Sequence, residues 1–249
     1  MNPLFRLPST VTAALAAIFL CFPAQAQSSF ATSTNEDVAI AFFKTANVKP
    51  DFMKWAKESR EFKVAAPARV DDFLFMESQR LSRRWKEYDP ETSLIRVGAT
   101  VSVVLEHLAA KDGGEIFRMT MSFDKGDVTY FPYEFQDYKF AVVPQKIETL
   151  LRQNISREQY DLITTDFKGE TVGSAKMELQ LKPVQSYLQQ PYMLDGVEQW
   201  MMLTDTVTLA LKSPRSGAAL WTYGAEWYVS PVTREVQDLY KEPQLAPAF

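Results

Sequence analysis

One cysteine, one histidine and nine glycines in 249 residues are few, and each shortage removes a class of chemistry. The cysteine, Cys21, falls in a segment the sequence marks for removal. Residues 1–26 carry one cation, Arg6, then an apolar run from Val11 to Phe22, then Pro23, with Ala24 and Ala26 at the small-residue positions of a cleavage site. That order predicts a secretory signal peptide cut after residue 26. At about 12 residues the run is shorter than the roughly 20 needed to cross a bilayer, and no later stretch is apolar enough to do so. A lipid anchor at Cys21 conflicts with Leu20, because acylation signals place a small residue there. The expected mature chain, residues 27–249, therefore has no thiol, no disulfide and no cysteine nucleophile. It is long enough for one domain held by its core alone.

A single histidine limits the chemistry further. Any serine triad must use His107, and no GxSxG element accompanies it. Zinc sites usually draw two or more ligands from His and Cys, so no metal is expected. Every glycine lies at or after Gly98, and neither GxGxxG nor GxxxxGK[ST] occurs. Nucleotide chemistry through those loops is excluded, and no cofactor is expected. Cations and anions, 27 Lys+Arg against 31 Asp+Glu, are interspersed with a net charge of −4. Without a basic stripe the chain is not expected to bind nucleic acid or anionic lipid.

The residues that are present predict helices first. Thr34 to Ala46 has a capping threonine, acids in its first turn and apolar residues at helical spacing. Pro50 to Phe62 opens on a proline tolerated in a first turn. Residues 68–88 form the longest helix, with Val70, Phe73, Leu74, Leu81, Trp85 and Tyr88 on one stripe and Glu77 inside it. Arg80 lies within reach of Glu77. Arg80 and Arg84 are either a structural ion-pair set or an anion site facing a cleft.

After Asp89-Pro90 the period changes from 3.6 to 2. Ile95, Val97, Ala99, Val101, Val103 and Leu105 share one side of a strand, and KDGG at 111–114 turns the chain into a second. DKGD at 124–127 reads as another turn, since it lacks the spacing of a common calcium loop. Ser156 to Gln159 is a capping box. KMELQLK alternates cleanly, and residues 199–212 and 219–229 flank the turn signal SPRSG. The expected fold is α+β: a helical N-terminal segment packed on an antiparallel β-sheet or sandwich of six or more strands. Residues 34–89 are mainly helical, 94–230 mainly antiparallel strands with helices near 145–165, and 241–249 a frayed tail.

Two residues are candidates for acid–base work. If the last hairpin turns about Arg215, Leu209 faces Trp221 and Asp205 faces Ala225, which places Asp205 among aromatics on the apolar side. His107 continues the buried side of the first strand to the sheet rim, where a backbone hydrogen bond would hold it. Between Tyr130 and Phe140, YFPYEFQDYKF places six aromatics on both faces of a strand. They are covered by protein or, as an exposed platform, make Tyr130, Tyr133 and Tyr138 candidates to hold a glycan, a peptide or a partner protein. The functional expectation is an exported, periplasmic, non-catalytic binding or interaction protein of the cell envelope. The alternative is an envelope hydrolase using Asp205 or His107 as acid or base.

Overall fold

The computed structural model describes residues 30–230, apart from 65, 67–68, 111–112 and 124–129. The expected signal peptide, the DKGD turn, Lys111 and Asp112 of KDGG, and the expected C-terminal tail lie outside the described residues.

Four helices come first: α1 (Asn35–Thr45), α2 (Phe52–Glu58), α3 (Arg60–Lys63) and α4 (Val70–Glu87). Thr34 starts α1 with a reciprocal cap: its hydroxyl accepts from the Asp37 N–H at 3.2 Å, and its own N–H donates to the Asp37 carboxylate at 2.8 Å. Every residue from Val38 to Phe43 is buried, so α1 is covered on all sides. Ser59 splits the helix expected over 50–62 into two. It leaves helical geometry at ψ 150° while its hydroxyl donates to Ala56 O at 2.8 Å and accepts from Phe62 N–H at 3.1 Å. A serine side chain that can satisfy the backbone at both ends competes with helix continuation. Ring contacts join these helices to the middle of the chain: Phe42 to Phe140 at 5.0 Å, Phe43 to Tyr138 at 5.3 Å and Trp55 to Phe135 at 5.0 Å.

The strands are β1 (Ile95–Ala109), β2 (Glu115–Ser122), β3 (Phe131–Phe135), β4 (Tyr138–Pro144), β5 (Arg152–Ile155), β6 (Val172–Ser186), β7 (Tyr192–Leu194), β8 (Val197–Lys212) and β9 (Ala219–Gly224). Helix α5 (Ile147–Leu151) precedes β5, and α6 (Arg157–Asp166) follows it, started by the Ser156–Gln159 box. Sheet order is β3-β4-β8-β6-β1-β2-β5, with β7 and β9 also paired to β8. The class is α+β, and the sheet is mixed rather than purely antiparallel, because β4 and β8 run parallel. Parallel neighbours need a long crossover; here α5, β5, α6 and β6 supply it. Alternation sets the register elsewhere. Ile95, Val97 and Val101 lie opposite Leu181, Leu179 and Ala175, and all six are buried.

The β6–β8 pairing shifts register at two places. Thr206 pairs with Leu181 and Thr208 with Gln180, so Val207 is an extra residue in β8. This bulge resets the alternation: Met202, Thr204 and Thr206 are buried before it, Val207, Leu209 and Leu211 after it. A second shift leaves Val184 as an extra residue in β6, between the pairs Pro183–Thr204 and Gln185–Leu203. Elsewhere in β6, Gly173 is closely approached by another part of the chain. A Cβ there would meet the Phe167 ring at 2.6 Å, so the ring that ends α6 lies directly on the glycine backbone.

Candidate functional site

The aromatic-rich segment folds as the β3–β4 hairpin, with Gln136 and Asp137 between the paired residues Phe135 and Tyr138. Directly opposed residues share a face, so Phe131, Tyr133 and Phe135 lie on the same side as Val142, Phe140 and Tyr138. A two-residue loop thus switches the inward positions from odd to even numbers. The aromatics of the two strands therefore share one face instead of dividing between two, because Gln136 and Asp137 are loop and not strand. Tyr138 is packed nearly parallel to Phe140 at 6.0 Å and edge-on to Phe43 at 5.3 Å, which makes it part of the interior packing rather than a platform.

Tyr130 and Tyr133 line a cavity of about 450 Å³ together with Asn35, Glu134, Lys139 and Gln199. The Tyr130 hydroxyl donates to Asp195 Oδ2 at 2.7 Å and accepts from Gln199 Nε2 at 3.3 Å. Gln199 is only 4% exposed, so its amide is held in place from below the cavity. Asp195 and Gly196, at φ 49° and 75°, form the two-residue turn between β7 and β8. Both central residues being left-handed suits the type I′ hairpin turn, for which Asp-Gly is a favoured pair. This turn presents the Asp195 carboxylate to Tyr130. The hydrogen bond to Asp195 raises the Tyr130 pKa, and burial, with the negative charge of Asp37, raises that of Tyr133. Both phenols stay neutral donors at physiological pH. The cavity therefore gathers two phenol rings, a fixed amide, the Glu134 carboxylate and the Lys139 ammonium group, with Asp195 behind Tyr130.

The other candidates take different places. Arg80 binds Glu36 through both terminal nitrogens at 2.9 and 2.6 Å and Glu77 at 2.8 and 2.7 Å. Arg84 binds Glu36 at 2.6 Å and also Asp37. Two cations facing three carboxylates fasten the first turn of α1 to α4, leaving their charge spent within the protein. The structure thus places Arg80 and Arg84 in a structural clamp. Burial disfavours the Asp37 carboxylate, but donors from the Thr34 backbone and hydroxyl and the Arg84 guanidinium outweigh it and lower its pKa.

His107 is half-exposed, stacked on Phe117 at 4.7 Å with Nε2 at 3.2 Å from Glu115. The same carboxylate takes Arg157 at 3.1 Å, so this network joins β1, β2 and the start of α6. A neighbouring carboxylate and ring thus hold His107, where a backbone partner was expected. Asp205 lies before the β8 bulge on the partly exposed side, opposite Lys182. The hairpin register also differs: Leu211 faces Trp221 and Leu209 faces Tyr223, while β9 ends at Gly224. Ser213 sets that register by donating its N–H to Ala218 O at 2.9 Å, which moves the turn along the chain. Asp205 is therefore not placed between two aromatics.

Among the described residues, no group of three or more His, Cys, Asp or Glu could hold a metal ion, and no helix is long and apolar enough to cross a membrane. Sequence reasoning named Tyr130 and Tyr133 but missed Asp195 and Gln199. The Asp195-Gly196 pair after Tyr192-Met193-Leu194 was the available signal. No family model, curated protein or solved structure matches this chain.

Proposed function

We propose that this protein is exported to the periplasm, works in the cell envelope, and binds a glycan rather than transforming it, with the helical segment packed on the sheet as scaffold. The observation that carries the reading is the Tyr130–Asp195–Gln199 network at the wall of the tyrosine-lined cavity. Sugars offer hydroxyls to carboxylates and amides and C–H faces to rings, and this cavity supplies all three types of group. Its volume, about 450 Å³, falls within the usual range for small-ligand sites. Asp205 and His107 stand on separate elements with different neighbours, which favours recognition over hydrolysis. Export rests on the charge, apolar run and small residues of positions 1–26.

The test is calorimetric titration of the mature protein with a panel of envelope-derived oligosaccharides, repeated on Tyr130→Phe and Tyr130→Ala. Tyr130→Phe keeps the ring and removes a hydrogen bond to a charged group, which should weaken binding about tenfold. Tyr130→Ala should abolish measurable binding, with the melting temperature little changed because Tyr130 lies outside the core. A panel that yields no bound sugar, or an affinity unchanged by both substitutions, would overturn the reading.

A further inference from the structure

A second cavity, of about 680 Å³, lies where the residues preceding α1 meet the last turn of α4 and the start of β1. Its walls are held by short-range bonds. Ser33 donates its N–H to Arg96 O at 2.8 Å and its hydroxyl accepts from the Arg96 N–H at 2.9 Å. Asp89 fixes the opposite wall, accepting from the Glu91 N–H at 3.0 Å and the Thr92 hydroxyl at 2.8 Å. Buried Ile40 and Ile95 contribute apolar surface to the lining.

Four charged side chains line this cavity: Asp37, Arg84, Glu87 and Arg96. Asp37 pairs with Arg84, which also pairs with Glu36. Glu87 and Arg96 have no ion-pair partner among the described residues and do not pair with each other. One negative and one positive group on the rim of this open cavity are thus without an ion pair among the described residues, and serine and threonine side chains line it with them. The Tyr88 hydroxyl in the same wall is buried and has no hydrogen-bond partner among the described residues. A solute carrying a single charge would satisfy one of the two groups and leave the other unmatched. A solute with one ammonium and one carboxylate matches both.

We propose that this cavity binds a zwitterion, a free amino acid or short peptide held by its two charged ends, with Arg96 receiving the carboxylate and Glu87 the ammonium. The site is separate from the tyrosine-lined cavity and does not depend on the glycan reading. Arginine suits a carboxylate because its planar fork can make two parallel charge-assisted bonds. Six parts of the chain converge on the cavity: the segment before α1, α1 itself, the end of α4, residues 92–94, the start of β1 and Tyr228.

The probe is tri-alanine, titrated by calorimetry at pH 7 and low salt against the mature protein, alongside N-acetyl-tri-alanine and tri-alanine amide. Each cap removes one charge and should weaken binding about tenfold or more. Arg96→Gln should erase the preference for the free carboxylate over the amide, and Glu87→Gln the preference for the free amine over the acetyl form. Both side chains are exposed, and an unchanged melting temperature confirms that each variant folds. Tyr130→Phe should bind tri-alanine as the parent does, which keeps a failure here distinct from a failure of the glycan proposal. No binding of tri-alanine to the folded parent protein, or binding that either cap leaves unchanged, would overturn the assignment.

Discussion

Replacing Gly173 by alanine adds one methyl group at the point where the Phe167 ring crosses β6. The new carbon would start at 2.6 Å from two ring carbons and 2.7 Å from a third, whereas ordinary contact begins at 3.4 Å. The ring must therefore withdraw by most of an ångström. It is only 8% exposed and belongs to the core cluster, so neighbouring side chains must move with it. Overpacking of this kind costs about 1–3 kcal/mol. For a domain of this size each kcal/mol lowers the melting temperature by about 2–4 °C, so a fall of about 2–12 °C is expected. Urea denaturation of Gly173→Ala, Phe167→Ala and the double variant provides the assay. Removing the ring alone should cost about 3–5 kcal/mol. The double variant should cost less than the two singles together by about 0.5–3 kcal/mol, since the methyl no longer meets a ring. Strict additivity, or a single Gly173→Ala variant as stable as the parent, would refute the close approach.

Two more outcomes are expected of the α1 and α6 caps. The Asp37 pKa is lowered in the folded protein, so its contribution to stability is full above the unfolded value near 4 and is lost as pH falls through the folded value. Urea midpoints between pH 7 and pH 2 should fall less steeply for Asp37→Asn than for the parent in the acid range, and parallel curves would count against this. Ser156→Ala removes the hydroxyl that accepts from the Gln159 N–H at 3.2 Å. It should lower stability by about 1 kcal/mol in the same assay, while Ser156→Thr stays near the parent; an equal loss in both would show that the cap is not the cause.

Most of what the sequence discloses about this fold is local. The Thr34 and Ser156 caps are read from neighbouring residues and are found as read. The inward side of β1 follows from the alternation of Ile95, Val97, Val101, Val103 and Leu105, which is a property of one strand. Where two distant segments must agree, the reading weakens. The bulge at Val207 depends on how β8 meets β6, and it places Asp205 on the partly exposed side. The parallel pairing of β4 with β8 depends on a crossover of more than fifty residues, invisible in either strand. Ser59 shows the same limit at short range, because a serine inside an apolar helical pattern does not announce that its hydroxyl will serve both ends.

The candidate sites divide along the same line. Aromatic density points to Tyr130 and Tyr133, but groups that complete their cavity come from α1 and β8, and the β7–β8 turn supplies only the Asp195 partner of Tyr130. Arg80 and Arg84 had two readings from spacing alone. What decides between them is the arrival of Glu36 and Asp37 from a helix more than forty residues earlier.

Strand β8 touches β4, β6, β7 and β9, and it is the next to last strand among the described residues. Among the described residues, the β3–β4 hairpin joins the rest of the sheet through β8 and through no other strand. A growing polypeptide that has not yet released residues 197–212 can pack the hairpin on α1 and α2 but has no described strand to pair it with. Assembly waits for the last quarter of synthesis, and pairing across such long separations is slow. Lateness of this sort leaves the sheet incomplete, and the hairpin held by helices alone, until the final strands are available.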